Sequence, residues 1–167
     1  AYKADLWRLI ILYNNGGIYN DIGHTYLVPI SEILEDTNDD IDLIVVQDSN
    51  PLLPFHLHNA FIAATPHHPF IKYALDHIIS NIRSNFYGTG PLDVTGPGAF
   101  GIAFNRFFGY PDSSPINPGH KVLSKDNKNY NVHVLKHIRN FQERDKQYIA
   151  DENNRLLIRT KFPNYYE

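Results

Sequence analysis

The stretch that decides the reading is Ala4-Asp5-Leu6-Trp7-Arg8-Leu9-Ile10-Ile11-Leu12-Tyr13, followed by Asn14-Asn15-Gly16-Gly17 and then Ile18-Tyr19-Asn20-Asp21-Ile22-Gly23-His24. The first segment is helical in pattern, the double Gly ends the helix, and the β-branched and aromatic run after it predicts a short strand. An acidic residue, Asp21, is thereby delivered to the C-terminal end of a strand. In open α/β sheets ligands bind at such ends, where the loops open into a crevice. Asp21 is placed for chemistry.

Outward from this junction, Pro29-Ile30-Ser31-Glu32-Ile33-Leu34 predicts a short helix and Asn38-Asp39-Asp40 a turn. Ile41-Asp42-Leu43-Ile44-Val45-Val46-Gln47 is nearly continuous and β-branched, as buried parallel strands are. Asp48-Ser49-Asn50-Pro51 closes it, and Asn59 to Ala64 forms a further strand. Phe70, Ile71, Ala74, Leu75, Ile78, Ile79 and Ile82 fall at helical spacing from Pro69 to about Asn85, with Pro69 suited to the first turn. A Gly/Pro-dense loop, Gly88 to Gly98, then leads into a helix from Ala99 to Phe108. After Gly109 the pattern is of short strands: Lys121-Val122-Leu123, Val132-His133-Val134-Leu135, and a hairpin of Tyr148-Ile149-Ala150 with Leu156 to Phe162 about Asp151-Glu152-Asn153-Asn154.

Several of these blocks resemble the DXD-containing sugar transferases, which include fungal initiating mannosyltransferases and many bacterial and viral glycosyltransferases. The similarity runs through Lys3-Ala4-Asp5-Leu6-Trp7-Arg8, Leu12-Tyr13 and Gly16-Gly17-Ile18-Tyr19-Asn20-Asp21. Asn59-Ala60-Phe61-Ile62-Ala63-Ala64 with His68-Pro69-Phe70, and Thr95-Gly96-Pro97-Gly98, follow in the family's order, so the resemblance spans roughly Ala1 to Phe108. It implies an α/β fold of the GT-A type, a Rossmann-like nucleotide-sugar-binding domain. It also implies hexose transfer from a nucleotide diphosphate sugar to a glycan or lipid hydroxyl, with retention of configuration. Donor-binding residues implied by the resemblance are Asp5, Arg8, Gly17, Tyr19, Asp21, Asn59, Thr95, Gly96 and Pro97, with Tyr19 beside the base or ribose. Asp21 is implied to be catalytic.

The family pattern is Asp-x-Asp, and here it reads Asp21-Ile22-Gly23. In the family the second Asp is a ligand of manganese or magnesium bridging the diphosphate, and a Gly side chain offers no oxygen. Asp21 and His24 are the candidate metal ligands left. Alternating strand side chains would point His24 away from the face position 23 occupies. The second reading is therefore a catalytically degenerate homologue that binds a nucleotide or glycan, or stabilises a partner transferase.

Other residues carry two readings each. Asp5 and Arg8, one turn apart, are either donor-site groups or an ordinary surface ion pair. Asp93 either caps a turn or acts on an acceptor hydroxyl as a catalytic group. Backbone amides at the start of the Ala99 helix suit an anion, and a Cβ at Gly96 would intrude on a ligand or demand excluded dihedral angles. Thr95 to Gly98 is expected beside Asp21, brought there by a right-handed crossover after a strand ending near Ala64. His56-Leu57-His58 and His67-His68 lack the spacing of a zinc centre and read as solvent-exposed loop histidines.

Composition bounds the rest. With 167 residues and 43% hydrophobic content the chain is expected to form a single domain, residues 1–108 a core and 109–167 a small β-rich part. A net charge of −3 argues against a general nucleic-acid binder, and no run approaches the roughly 18 apolar residues of a membrane span. The chain has no Cys, which removes disulfides, zinc-thiolate sites and thiol nucleophiles. Lack of Cys, of Asn-x-Ser/Thr and of a signal segment leans toward the cytoplasm, with a Golgi lumen open to a piece of a membrane-anchored protein. No Met occurs, and Ala1 stands already inside the motif, so the chain reads as a piece lacking the family's N-terminal βα segment. Either a second copy then covers the exposed sheet edge, giving an oligomer, or the edge stays open at a cost.

Overall fold

The computed structural model describes residues 2–34, 41–139 and 146–160. The turn expected at Asn38-Asp39-Asp40, and Lys161 and Phe162 of the last expected strand, lie outside the described residues.

Helix α1, Tyr2–Asn15, buries Asp5, Arg8, Leu9 and Leu12 along one face, the spacing of an amphipathic helix. It ends as the double Gly requires: Gly16 has φ +64°, its N–H donates to the Leu12 carbonyl at 2.8 Å, and a Cβ there would strike Pro66. Strand β1, Gly17–Asn20, follows. Asp21 stands at its C-terminal end, as expected. Asp21-Ile22-Gly23 turns, closed by the His24 N–H on the Asp21 carbonyl at 3.1 Å, and His24–Tyr26 forms a separate strand, β2.

The remaining elements are α2 Ile30–Leu34, β3 Leu43–Gln47, β4 Phe61–Ala64, α3 Pro69–Arg83, the single turn α4 Pro91–Val94, α5 Pro97–Phe107, β5 Gly119–Lys125, β6 Lys128–Arg139, β7 Gln147–Ala150 and β8 Leu156–Thr160. The fold is mixed α/β, with one sheet in the order β1-β4-β3-β6-β7-β8-β2 and β5 also paired to β6. Among the described residues only β3 and β6 pair in parallel; the other pairs are antiparallel. Strand β4 runs against β1 and β3, so Ala64 lies at the opposite end of the sheet from Asp21. That removes the expected crossover between parallel strands: α3 carries the chain back from the far end.

The two end strands of this path, β1 and β2, are joined by three residues, Asp21 to Gly23. Six strand spacings in a flat sheet would part them by about 29 Å, whereas four Cα steps reach at most about 15 Å. The sheet is therefore rolled until its two ends approach one another, and Asp21 sits at the join.

Each face of the sheet has its own core. Leu43, Val45, Val132 and Val134 meet α1, α3 and α5 through Leu9, Leu12, Phe70, Ile71, Phe100 and Phe104. Ile44, Val46, Phe61 and Leu135 meet Ile33 of α2 and Ile149, Leu157 and Ile158. The alternation along β3 and β6 is what sorts these side chains between faces. His68 caps α3 by accepting the Phe70 N–H at its Nδ1, 3.2 Å away. No helix among the described residues is long and apolar enough to cross a membrane.

Candidate functional site

Asp5 and Arg8 do not form a surface pair. They are 8% and 7% exposed, joined at 3.1 Å from Arg8 Nη2 to Asp5 Oδ1. Asp5 accepts further hydrogen bonds from Asn59 Nδ2 at 3.0 Å and Thr95 Oγ1 at 2.7 Å. Burial pushes the Asp5 carboxyl above its ordinary value, against the lowering pull of Thr95 and Arg8. Arg8 donates through Nη1 to the Asn59 carbonyl and through Nε to the Ala4 carbonyl at 3.3 Å. A charge taken so far out of water needs this many partners.

The network reaches the strand end through Tyr19. Its ring lies under the Arg8 guanidinium at 4.5 Å, and its hydroxyl donates to Asp21 Oδ1 at 2.7 Å. Burial, and then that bond to a carboxylate, push the Tyr19 hydroxyl up to about 12, so it stays a donor at neutral pH. Asp21 Oδ1 also stands 3.8 Å from Arg8 Nη1, and the Asp21 side chain keeps 36% exposure. Its backbone is held by its N–H on the Ala60 carbonyl at 2.9 Å. The result is a cation behind a partly open carboxylate.

Thr95 is delivered by α3 and α4: Asn81 of α3 donates to the carbonyls of Asp93 and Val94 at 3.3 and 3.2 Å. Gly96 caps α5 with φ −88° and ψ −155°, extended backbone open to any residue, so the dihedral argument for that glycine does not hold. Space is tight at Gly96, where a Cβ would come within 3.1 Å of Leu92 Cα, and tighter at Gly98, where it would come within 2.4 Å of Asp93 Oδ1 and 3.1 Å of His56 Nε2. Pro97 accepts the Leu57 N–H at 3.1 Å. Asp93 Oδ2 accepts from the Thr89 N–H at 2.8 Å and hydroxyl at 2.6 Å, the turn-capping one of its two readings.

The fold thus brings Asp5, Arg8, Tyr19, Asp21, Asn59 and Thr95 into one network, with Gly96 and Pro97 next to it in the chain. Gly17 is not part of it. It pairs with Ala64 at the far end of β1, about 13 Å from Asp21 at the strand rise.

Histidines supply what the sequence reading missed. His56, His58 and His68 are buried, not exposed loop groups. His58 stacks on His137 with ring centroids 4.3 Å apart and planes 13° from parallel, and Asp48 Oδ1 lies 3.9 Å from His137 Nδ1. Burial, then the charge of His137, push His58 well down. His58 is followed in the chain by Asn59, whose carbonyl accepts from Arg8, so this cluster borders the Arg8 network. His56-Leu57-His58 carried the only signal, as two like side chains on one face of an extended segment.

The donors at Asp21 do not fit a divalent cation. Among the described residues Asp21 offers one carboxylate, bonded to Tyr19 and facing Arg8, while the Asp5 carboxylate is taken up by Arg8, Asn59 and Thr95; Ile22 is fully exposed, and position 23 has no side chain. His24 has its Nδ1 2.7 Å from Asn20 Oδ1. Burial lowers its pKa against the pull of Asp21. Among the described residues, the His, Asp and Glu groups that approach as a trio are elsewhere: His120, His133 and Glu152.

Residues 1–40 match the family model described as the glycosyltransferase sugar-binding region containing DXD motif. The resemblance to the DXD-containing sugar transferases is thereby shown, in the segment that holds Asp5, Arg8, Tyr19 and Asp21. No curated protein matches the chain. Among solved structures, the PaToxG Glycosyltransferase is similar at 25% identity and a TM-score of 0.49, over 62% of this chain and 33% of that one. This chain spans about a third of that protein's structure.

Proposed function

We propose that the chain is a glycosyltransferase domain of the GT-A type. It holds a nucleotide diphosphate sugar against Arg8 and Asp21 and passes the hexose, with retention, to a glycan or lipid hydroxyl. One observation carries this reading: Asp5 and Arg8 of the matched segment are held by Asn59 and Thr95 from the two later blocks, and Arg8 in turn meets Tyr19 and Asp21. The open oxygen of Asp21 suits a ribose or sugar hydroxyl. The Arg8 guanidinium, fixed in a poorly hydrated place, suits the charge that grows on the departing diphosphate. Asp93 is read as holding the loop through Thr89.

The alternative is a binding protein without turnover, and Gly23 favours it, since the second carboxylate of the family pattern is lacking. Calorimetric titration of uridine and guanosine diphosphate sugars, with manganese and with chelator, tests both. Binding that persists in chelator, falls at least about tenfold in Asp21→Ala (1.4 kcal/mol) and leaves the melting temperature unchanged is the expected result. Product sugar released or transferred then marks the enzyme, and binding alone the degenerate form. Equal affinity in Asp21→Ala, or no heat with any donor in either condition, overturns the assignment.

A further inference from the structure

Strand β6 is long enough for two partners to share one of its edges. Strand β5 pairs with it from Lys128 to Val134, and β7 from Lys136 to Arg139. Where one partner starts and the other stops there is a seam. Gly119, with φ +115°, opens β5 opposite Val134, and Ala150 closes β7 opposite Lys136. The next residue of β5, His120, and the turn after β7, Asp151-Glu152, are therefore driven together over His133.

There His133 Nε2 stands 3.2 Å from Glu152 Oε2, and the His120 ring stacks on His133 at 3.6 Å between centroids. The ligand atoms of all three residues lie within 4.8 Å of one another. Lys136 Nζ donates to the Glu152 carbonyl at 3.1 Å, and Asp151 Oδ1 accepts the Arg155 N–H at 2.8 Å. The turn that presents the carboxylate is thus fixed from both sides. His133 is 1% exposed, whereas His120 is open to solvent.

The geometry points to a zinc-class divalent cation site at His120, His133 and Glu152, which clips the β5 entry to the β7–β8 turn. Two imidazoles and one carboxylate are the donor set that suits zinc over magnesium or calcium, which take oxygen. Bonds of about 2.0–2.1 Å at tetrahedral angles put ligand atoms about 3.3 Å apart, close to the present His133 to Glu152 separation. The exposed His120, whose ligand atom lies within 4.8 Å of the other two, supplies the third bond by moving off its stack on His133. The site is separate from Asp21: His133 and the site-bordering His137 are four residues apart on β6, about 13 Å at the strand rise.

The test is titration of the chelator-treated full chain with zinc chloride, on the parent and on His120→Ala, Glu152→Gln and the outlying His67→Ala. One ion per chain is expected in the parent and in His67→Ala, with affinity lower by at least about tenfold in the other two, as loss of a ligand demands. Zinc should also raise the melting temperature of the parent and His67→Ala alone. Cobalt in place of zinc should give the visible absorption of a tetrahedral site, lost in Glu152→Gln. Unchanged affinity in either His120→Ala or Glu152→Gln, loss in His67→Ala, or no binding by the parent overturns the proposal.

Discussion

The Arg8 network and the His120 trio are both assembled from residues far apart in the chain, yet they stand in opposite states. Around Arg8 the buried groups are answered, Asp5 by Asn59, Thr95 and Arg8, Arg8 by the Asn59 carbonyl and Asp5, Tyr19 by Asp21, and Asp21 at the edge keeps part of its carboxylate open. At the β5–β7 seam a buried imidazole meets an exposed one and a partly exposed carboxylate. Buried and mutually satisfied charges hold a fold because removing one strands the others. Groups at a rim have water as their alternative, so they contribute little to folding and stay available to an ion.

Asp5→Ala should make the difference plain, costing about 3 kcal/mol of unfolding free energy because it strands Arg8 in the interior. Urea titration measures it, and a loss under about 1 kcal/mol would mean the network is not what holds α1 to Asn59 and Thr95. Between the two states stands His68, buried and pushed down by burial to about 4. Its folded pKa lies below the ordinary 6.5 of a histidine, so the unfolded chain takes up the proton first as pH falls. The stability it contributes is full above about pH 6.5 and drains away down to about pH 4, by on the order of 1–3 kcal/mol. His68→Asn keeps a capping side chain without a titrating group, and should flatten that part of the pH profile; an unchanged slope would assign it to other groups.

Glu152→Gln should cost less than about 1 kcal/mol in chelator, as expected for a rim carboxylate. A cost as large as that of Asp5→Ala would move the seam into the class of the Arg8 network. The smallest effect belongs to the exposed pair of Lys72 and Asp76, 2.6 Å apart one turn along α3. Lys72→Ala should change stability by no more than about 0.5 kcal/mol, which sets the baseline for the other three.

Much of the fold was legible locally. The helical spacing from Phe70 to Ile82 predicted α3, the double Gly predicted the end of α1, and the run at 43–47 predicted β3, because each depends on neighbours within a turn or a pleat. The strand that ends at Asp21 was legible in the same way, but nothing local says that the chain resumes three residues later as β2, at the opposite end of a rolled sheet. Likewise β5 and β6, expected as short segments, form a long hairpin from Gly119 to Arg139, since polar residues such as Asn129 and Lys128 hide a strand whose stability comes from its partner.

The site divides the same way. Asp5, Arg8, Tyr19 and Asp21 were readable as a set since they fall within one helix and one strand, and the motif they form is contiguous. That Asn59 and Thr95 complete it also followed from the order of the blocks. The stacking of His58 on His137, and the meeting of His120, His133 and Glu152, were invisible because strand register alone decides which residues face one another, and register is set by the packing of whole faces. The sequence by itself determined which segments coil or extend and which carboxylate closes β1. Tertiary structure decided the roll of the sheet, the burial of the Asp5 and Arg8 charges and the seam on β6, because those depend on contacts whose partners lie tens of residues away.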